Sequence, residues 1–231
     1  MKRIVILVTL IFGTYLNGNA QFGRTTSVTN RPGNMNIPIS HLRLVTVDRA
    51  AEKESEDLVK KKYLTYSYEL ASVDSYDTKA YVRYNIFDDE MEFVRDESIY
   101  YLAKEAGRKI HFKDSDFLYK IYEQDNELKY MKVLLEGETS LVAKQGVRYV
   151  DAKKALSGYD RAKPANYKKV KDEIYIAFDY NTVARVTKNK KQFFAIFGKN
   201  ESKMKSYMKK ERLSHKNLKD LKKAIVYYNT L

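Results

Sequence analysis

No cysteine occurs in the chain, and that absence removes several chemistries at once. Without it there is no disulfide, no thiolate zinc site, no thiol nucleophile and no lipid-modified residue of the bacterial lipoprotein kind. Tryptophan is also absent, and Pro and Gly are scarce, at three and nine of 231 residues. We find no internal repeat and no low-complexity run. Histidine is confined to His41, His111 and His215, far apart and without the His-Glu-x-x-His spacing of a zinc site. No Gly-x-Ser-x-Gly elbow, P-loop or dinucleotide fingerprint is present. Glu136 and Glu138, flanking Gly137, read as turn residues. No carboxylate pair stands out as a catalytic couple of the glycosidase kind, so no catalytic residue and no cofactor are nominated.

Long apolar runs are missing too, with one exception near the start. Lys2-Arg3, the apolar stretch Ile4 to Leu16 and the small residues Gly18 and Ala20 have the layout of an export signal cleaved after Ala20. A retained anchor is the alternative, but the run is shorter than the roughly 20 residues that span a bilayer. The expectation is an exported protein, periplasmic or extracellular and not a lipoprotein, with no transmembrane span once the signal is removed. Lacking disulfides, it must be held by its core, for which its length and 44% hydrophobic content suffice.

What is present is aromatic and alternating. Twenty Tyr and ten Phe favour pleated, half-buried surfaces. The clearest case runs from Tyr81 to Phe93: Ala80, Val82, Tyr84 and Ile86 fall on one face, and Met91 and Phe93 alternate with Glu90 and Glu92 beyond an acidic turn. That is the pattern of an antiparallel hairpin. About ten short strands of this style follow one another between Tyr63 and Thr187, with residues 146–172 reading as a long loop around Gly158 and Pro164. The fold class expected is α+β, mainly β: an antiparallel meander, curled sheet or open barrel with a C-terminal pair of amphipathic helices. The domain reading is a signal peptide at 1–20, an N-terminal arm with a short helical or strand segment at 21–62, the antiparallel β domain at 63–187, and a basic helical tail at 188–231 packed on it.

Charge is uneven. From Thr187 onward thirteen Lys/Arg stand against three acids, a net of +10 out of +13, which leaves the body from 21 to 186 near neutral. In the tail, Met204, Tyr207 and Met208, then Leu218, Leu221, Ala224, Ile225 and Tyr228, keep helical spacing. Lys203, Lys205, Lys209, Lys210, Arg212, Lys216, Lys219, Lys222 and Lys223 interleave with them. Such lysines are ordinarily a solvated face. Their functional reading is contact with an anionic surface: lipid headgroups, acidic polysaccharide or an acidic protein. Nucleic acid fits the charge but not the export signal, and a Lys-dominated face lacks bidentate base readout. Asp88, Asp89, Glu90 and Glu92 form the densest acidic group. They read as a solvated turn, with a weak cation site as the alternative.

The Arg83–Phe93 hairpin, together with a closing basic helix pair ending in Val226-Tyr227-Tyr228-Asn229, resembles an uncharacterised family of small exported, signal-peptide-bearing proteins of Bacteroidota, over residues 63–231. The resemblance implies an envelope location and carries over no catalytic residue. The reading is an envelope interaction module, more a binder of an envelope protein or anionic envelope surface than an enzyme. The alternative is a small-ligand binder or enzyme using the concave face of the sheet.

Overall fold

A computed structural model of the chain describes residues 42–44, 55–74, 79–95, 98–155 and 161–231. The leader expected at 1–20, most of the arm at 21–62 and His41 lie outside the described residues.

The hairpin at the centre of the sequence forms as its alternation requires. Strand β3 (Lys79–Asn85) pairs antiparallel with β4 (Glu90–Arg95), with Val82 opposite Phe93 and Tyr84 opposite Met91. Asp89 takes the left-handed conformation that closes the turn, φ 54°, where Asp is tolerated better than most residues. Ala80, Val82, Tyr84, Met91 and Phe93 are all at most 1% exposed.

The remaining strands extend this ladder on both sides. They are β1 (Leu42–Leu44), β2 (Glu69–Val73), β5 (Ser98–Leu102), β6 (Lys109–Phe112), β7 (Leu118–Gln124), β8 (Glu127–Leu135), β9 (Ser140–Lys144), β12 (Glu173–Ala177) and β13 (Val183–Arg185). All pair antiparallel in one eleven-stranded sheet of order β1-β5-β4-β3-β2-β6-β7-β8-β9-β12-β13. The mainly-β meander is thus present, and it is open: among the described residues β1 and β13 are its two edges.

The sheet is rolled. Tyr84 on β3 meets Tyr119 on β7 and Tyr130 on β8, with ring centroids 5.1 and 5.7 Å apart. Three strands separate β3 from β8, so only curling brings these rings together. They fill the concave side with Phe93, Phe112, Ile110 and Ile121. The neighbours of Tyr119, Ile121 and Tyr130 in the chain face the other way. There Tyr122, Met131, Val142, Tyr175 and Ala177 form a second cluster. It is closed by the β12–β13 turn, whose Tyr180 carbonyl accepts a bond from the Glu123 N–H at 2.7 Å. A bulge between Val133 and Leu135 marks the change of course.

Helices cover the last strands. α1 (Glu56–Val59) leads into a 3-10 turn, Lys60–Lys62, ahead of β2. α2 (Lys190–Ala195), α3 (Glu201–Lys210) and α4 (Leu218–Tyr228) pack Phe193, Phe194, Met204, Met208, Leu221, Ala224 and Ile225 over Leu141 and Ile176.

Two expectations are corrected. Residues 146–172 are not one loop: β10 (Val147–Val150) pairs with β11 (Asn166–Lys169) as a separate two-stranded ribbon. Its strands are short and cationic, so they lack the apolar alternation that marks the others. The strand expected from Tyr63 begins only at Glu69, because Tyr63, Tyr66 and Tyr68 gather instead around the Arg83 guanidinium.

Candidate anionic-surface interface

The basic tail owes its shape to caps and to its apolar stripes. The Asn189 side chain accepts bonds from the Lys191 and Gln192 amides and starts α2. Asn217 does the same for α4 through Lys219 and Asp220. Gly198, at φ +51°, turns the chain between α2 and α3, and nothing lies within 4 Å of where a Cβ would stand.

The end of α3 is unusual. The Leu213 amide bonds the Met208 carbonyl at 2.8 Å and the Arg212 amide the Lys209 carbonyl at 3.3 Å. This is a Schellman closure, which places the residue after the cap in the left-handed region. Glycine normally takes that place, but here it is Arg212, at φ 53°. A side chain there costs about 1–2 kcal/mol relative to the right-handed conformation. An exposed cation is thus held where the backbone favours its absence.

Arg212 lines an open groove of about 750 Å³ between α2 and α3. Lys190, Lys191, Lys205 and Lys209 line it too, above a floor of Phe194, Met208 and Leu213. Phe194 and Met208 are only 3% exposed, so little of that floor is open and the long basic side chains form most of the accessible lining. Lys205 is paired with Glu201 one turn earlier, at 2.5 Å. Among the described residues the other four cations have no carboxylate within ion-pair distance. A second hollow, about 630 Å³, is lined by Lys199 and Lys203 with Tyr228 and Asn229. Asn229 is fixed there by two bonds of 2.9 Å to the Thr139 backbone.

Of the nine basic residues singled out by the sequence, Lys205, Lys209 and Arg212 meet in the groove and Lys203 lines the second hollow. Lys210, Lys216, Lys219, Lys222 and Lys223 line neither, and all but the half-buried Lys222 are exposed. Lys190, Lys191 and Lys199 were not singled out. Lys190 and Lys191 open α2 just before Phe193 and Phe194, and Lys199 follows that helix, where apolar neighbours do not advertise a charged face.

Of the acidic group only Asp88 is exposed, so the reading as a solvated turn holds there and fails at Glu92. Glu92 is 3% exposed and ion-paired with Arg83 at 2.8 Å. It also accepts from Tyr63 Oη at 3.1 Å and Asn85 Nδ2 at 3.3 Å. Asp89 accepts from Tyr84 Oη at 2.7 Å and pairs with Lys104 at 3.0 Å. Asp88 accepts from Asn85 Nδ2 at 2.8 Å. The four acids are thus tied to internal partners, with Asn85 shared by Asp88 and Glu92 and Lys104 by Asp89 and Glu90, and among the described residues no group of three or more acidic or histidine side chains is placed to hold a metal ion.

Burial raises the phenol pKa of Tyr63, with the Glu92 carboxylate adding to the effect. His111 pairs with Asp116 at 2.7 Å, and His215 stacks on Phe193 at 5.0 Å. Glu136 bonds Lys120 at 2.7 Å and lies 3.4 Å from Lys109. The concave face of the first curl, where the alternative reading placed a ligand, is filled by aromatic side chains. No helix among the described residues is long and apolar enough to cross a membrane. The chain matches no protein-family model, no curated protein and no solved structure.

Proposed function

We propose that the protein is an exported, non-enzymatic interaction module of the cell envelope that applies its C-terminal helical layer to phosphate headgroups of anionic lipid. The observation that carries the reading is the convergence of Lys190, Lys191, Lys205, Lys209 and Arg212 on one open groove, four of them without a carboxylate partner among the described residues. Unpaired cations held on one surface raise the local potential and attract an anionic layer. Each Lys or Arg near such a layer contributes about 1 kcal/mol. The apolar stripes of α2–α4 pack on the sheet and leave only Leu218 and Val226 of α4 exposed among their large apolar side chains, which supports surface contact over insertion. The export reading rests on the leader pattern at residues 1–20.

The test is sedimentation of the mature chain, residues 21–231, with vesicles of phosphatidylcholine alone and with phosphatidylglycerol added. Binding is expected only to the anionic vesicles and is expected to fall with salt. Reversing Lys191, Lys209 and Arg212 to Glu should abolish it. Equal binding to both kinds of vesicle, or to neither, would overturn the reading.

A further inference from the structure

The turn between β8 and β9 is held from two sides. Within it the Ser140 hydroxyl donates to the Gly137 carbonyl at 3.0 Å and accepts from the Gly137 amide at 3.3 Å. From the end of α4, Asn229 accepts from the Thr139 amide and donates to the Thr139 carbonyl, so one side chain satisfies both groups. Gly137 permits that approach, because a Cβ there would stand 2.5 Å from Asn229 Nδ2. The turn also carries Glu138, whose backbone is therefore fixed relative to α4.

The hollow of about 630 Å³ lies beside this turn, between it, the end of β12, the start of α3 and the end of α4. Small-molecule sites span about 300–1,000 Å³. Glu138 lines the hollow from the turn, and Lys199 and Lys203 line it from the start of α3. All three are exposed, and among the described residues none of them has an ion-pair partner. Opposite charges thus border one hollow without meeting. Its apolar wall is Phe178 and Tyr228, packed edge to face with centroids 5.8 Å apart, and Phe197 backs Tyr228 at 5.1 Å. Asn200 adds a free amide. Asn189 and Asn217 cap α2 and α4 with their side chains, but Asn200, in the same place before α3, does not. Asn is among the best capping residues, so its side chain is held back from its usual partner.

We propose that this hollow binds a short peptide with both ends free. Glu138 takes the terminal ammonium, and Lys199 and Lys203 take the terminal carboxylate through charge-assisted bonds. The Asn200 amide, with a donor and an acceptor, pairs with a peptide group, which a single amino acid lacks. An apolar side chain of the peptide rests on Phe178 and Tyr228. A purely anionic ligand would set its charge against Glu138, and a purely cationic one against the two lysines. The hollow shares no lining residue with the groove between α2 and α3, so either site can fail without the other.

The test crosses the ends of the ligand with the side chains that take them. Calorimetric titration of the mature chain would use four probes: alanyl-leucine, its N-acetyl form, its C-terminal amide and free leucine. Alanyl-leucine is expected to bind, and the other three to bind at least about tenfold more weakly, a difference of about 1.4 kcal/mol. Glu138→Gln should weaken alanyl-leucine about tenfold and leave the N-acetyl form as it was. Lys199→Gln with Lys203→Gln should weaken alanyl-leucine and leave the amide form as it was. All three positions are exposed, so the fold does not depend on them. The proposal is overturned if alanyl-leucine does not bind at millimolar concentration, or if a capped form or leucine binds equally well. It is overturned too if either variant weakens every probe alike, or none.

Discussion

Replacing Arg212 with Gly should make the protein more stable and a weaker binder of anionic lipid. Arg212 occupies the left-handed position of the Schellman closure at φ 53°. Releasing a side chain from that conformation recovers about 1–2 kcal/mol. The added freedom of Gly in the unfolded chain returns about 0.4–1 kcal/mol of that. A net stabilisation of about 0.5–1 kcal/mol remains, readable as a higher urea midpoint at unchanged slope. The side chain is exposed and has no carboxylate partner among the described residues, so little packing is lost with it. At the membrane the same change removes one of five cations around the groove, worth about 1 kcal/mol, or about fivefold in affinity. Arg212→Lys keeps both the charge and the strain and should leave both quantities nearly as they are. A Gly variant that is less stable would refute the argument about backbone strain. One that is more stable but binds anionic vesicles with full affinity would refute the assignment of Arg212 to the contact surface.

Three further outcomes follow from the β body and the ribbon. Glu92→Ala leaves the Arg83 guanidinium without its carboxylate and the Tyr63 hydroxyl without its acceptor, and should cost about 3–5 kcal/mol by urea denaturation, whereas the double change Arg83→Met with Glu92→Leu should recover most of the loss. Alkali should destabilise the protein progressively above pH 10: burial pushes the phenols of Tyr68 and Tyr122 up to about 12 and holds those of Tyr84 and Tyr130 well above the ordinary value, so their stabilisation is intact below the ordinary tyrosine value and is lost as pH rises from there through the folded values. Phenolate absorbance rising smoothly from pH 10 with the fold intact would contradict that. Arg148→Glu with Lys153→Glu turns two like-charge cross-strand pairs into opposite-charge ones and should raise the thermal midpoint, and a lower midpoint would contradict that account of the ribbon.

Much of the fold was legible because its signals are local. The alternation from Ala80 to Ile86, and of Met91 with Phe93, fixes which face of the hairpin is buried before any partner strand is known. The stripes Met204–Met208 and Leu221–Ile225 likewise announce the packed sides of α3 and α4. What escaped depends on distant residues. Glu92 reads as solvated because it alternates with apolar neighbours, yet Tyr63, twenty-nine residues earlier, covers it. The ribbon was hidden because its strands carry cations in place of an apolar face. Within the candidate interface, the cations of α3 were evident from their spacing. Their meeting with Lys190 and Lys191 depends on how α2 packs on α3, which no local pattern reveals.

The most direct measurement is the binding of mature chain 21–231 to vesicles as the phosphatidylglycerol fraction is raised, at low and at high salt. Binding that climbs with anionic fraction, falls with salt and disappears when Lys191, Lys209 and Arg212 are reversed to Glu is the expected result. Binding insensitive to anionic lipid, or fully retained by the reversed variant, would contradict the claim that the helical layer is the working surface.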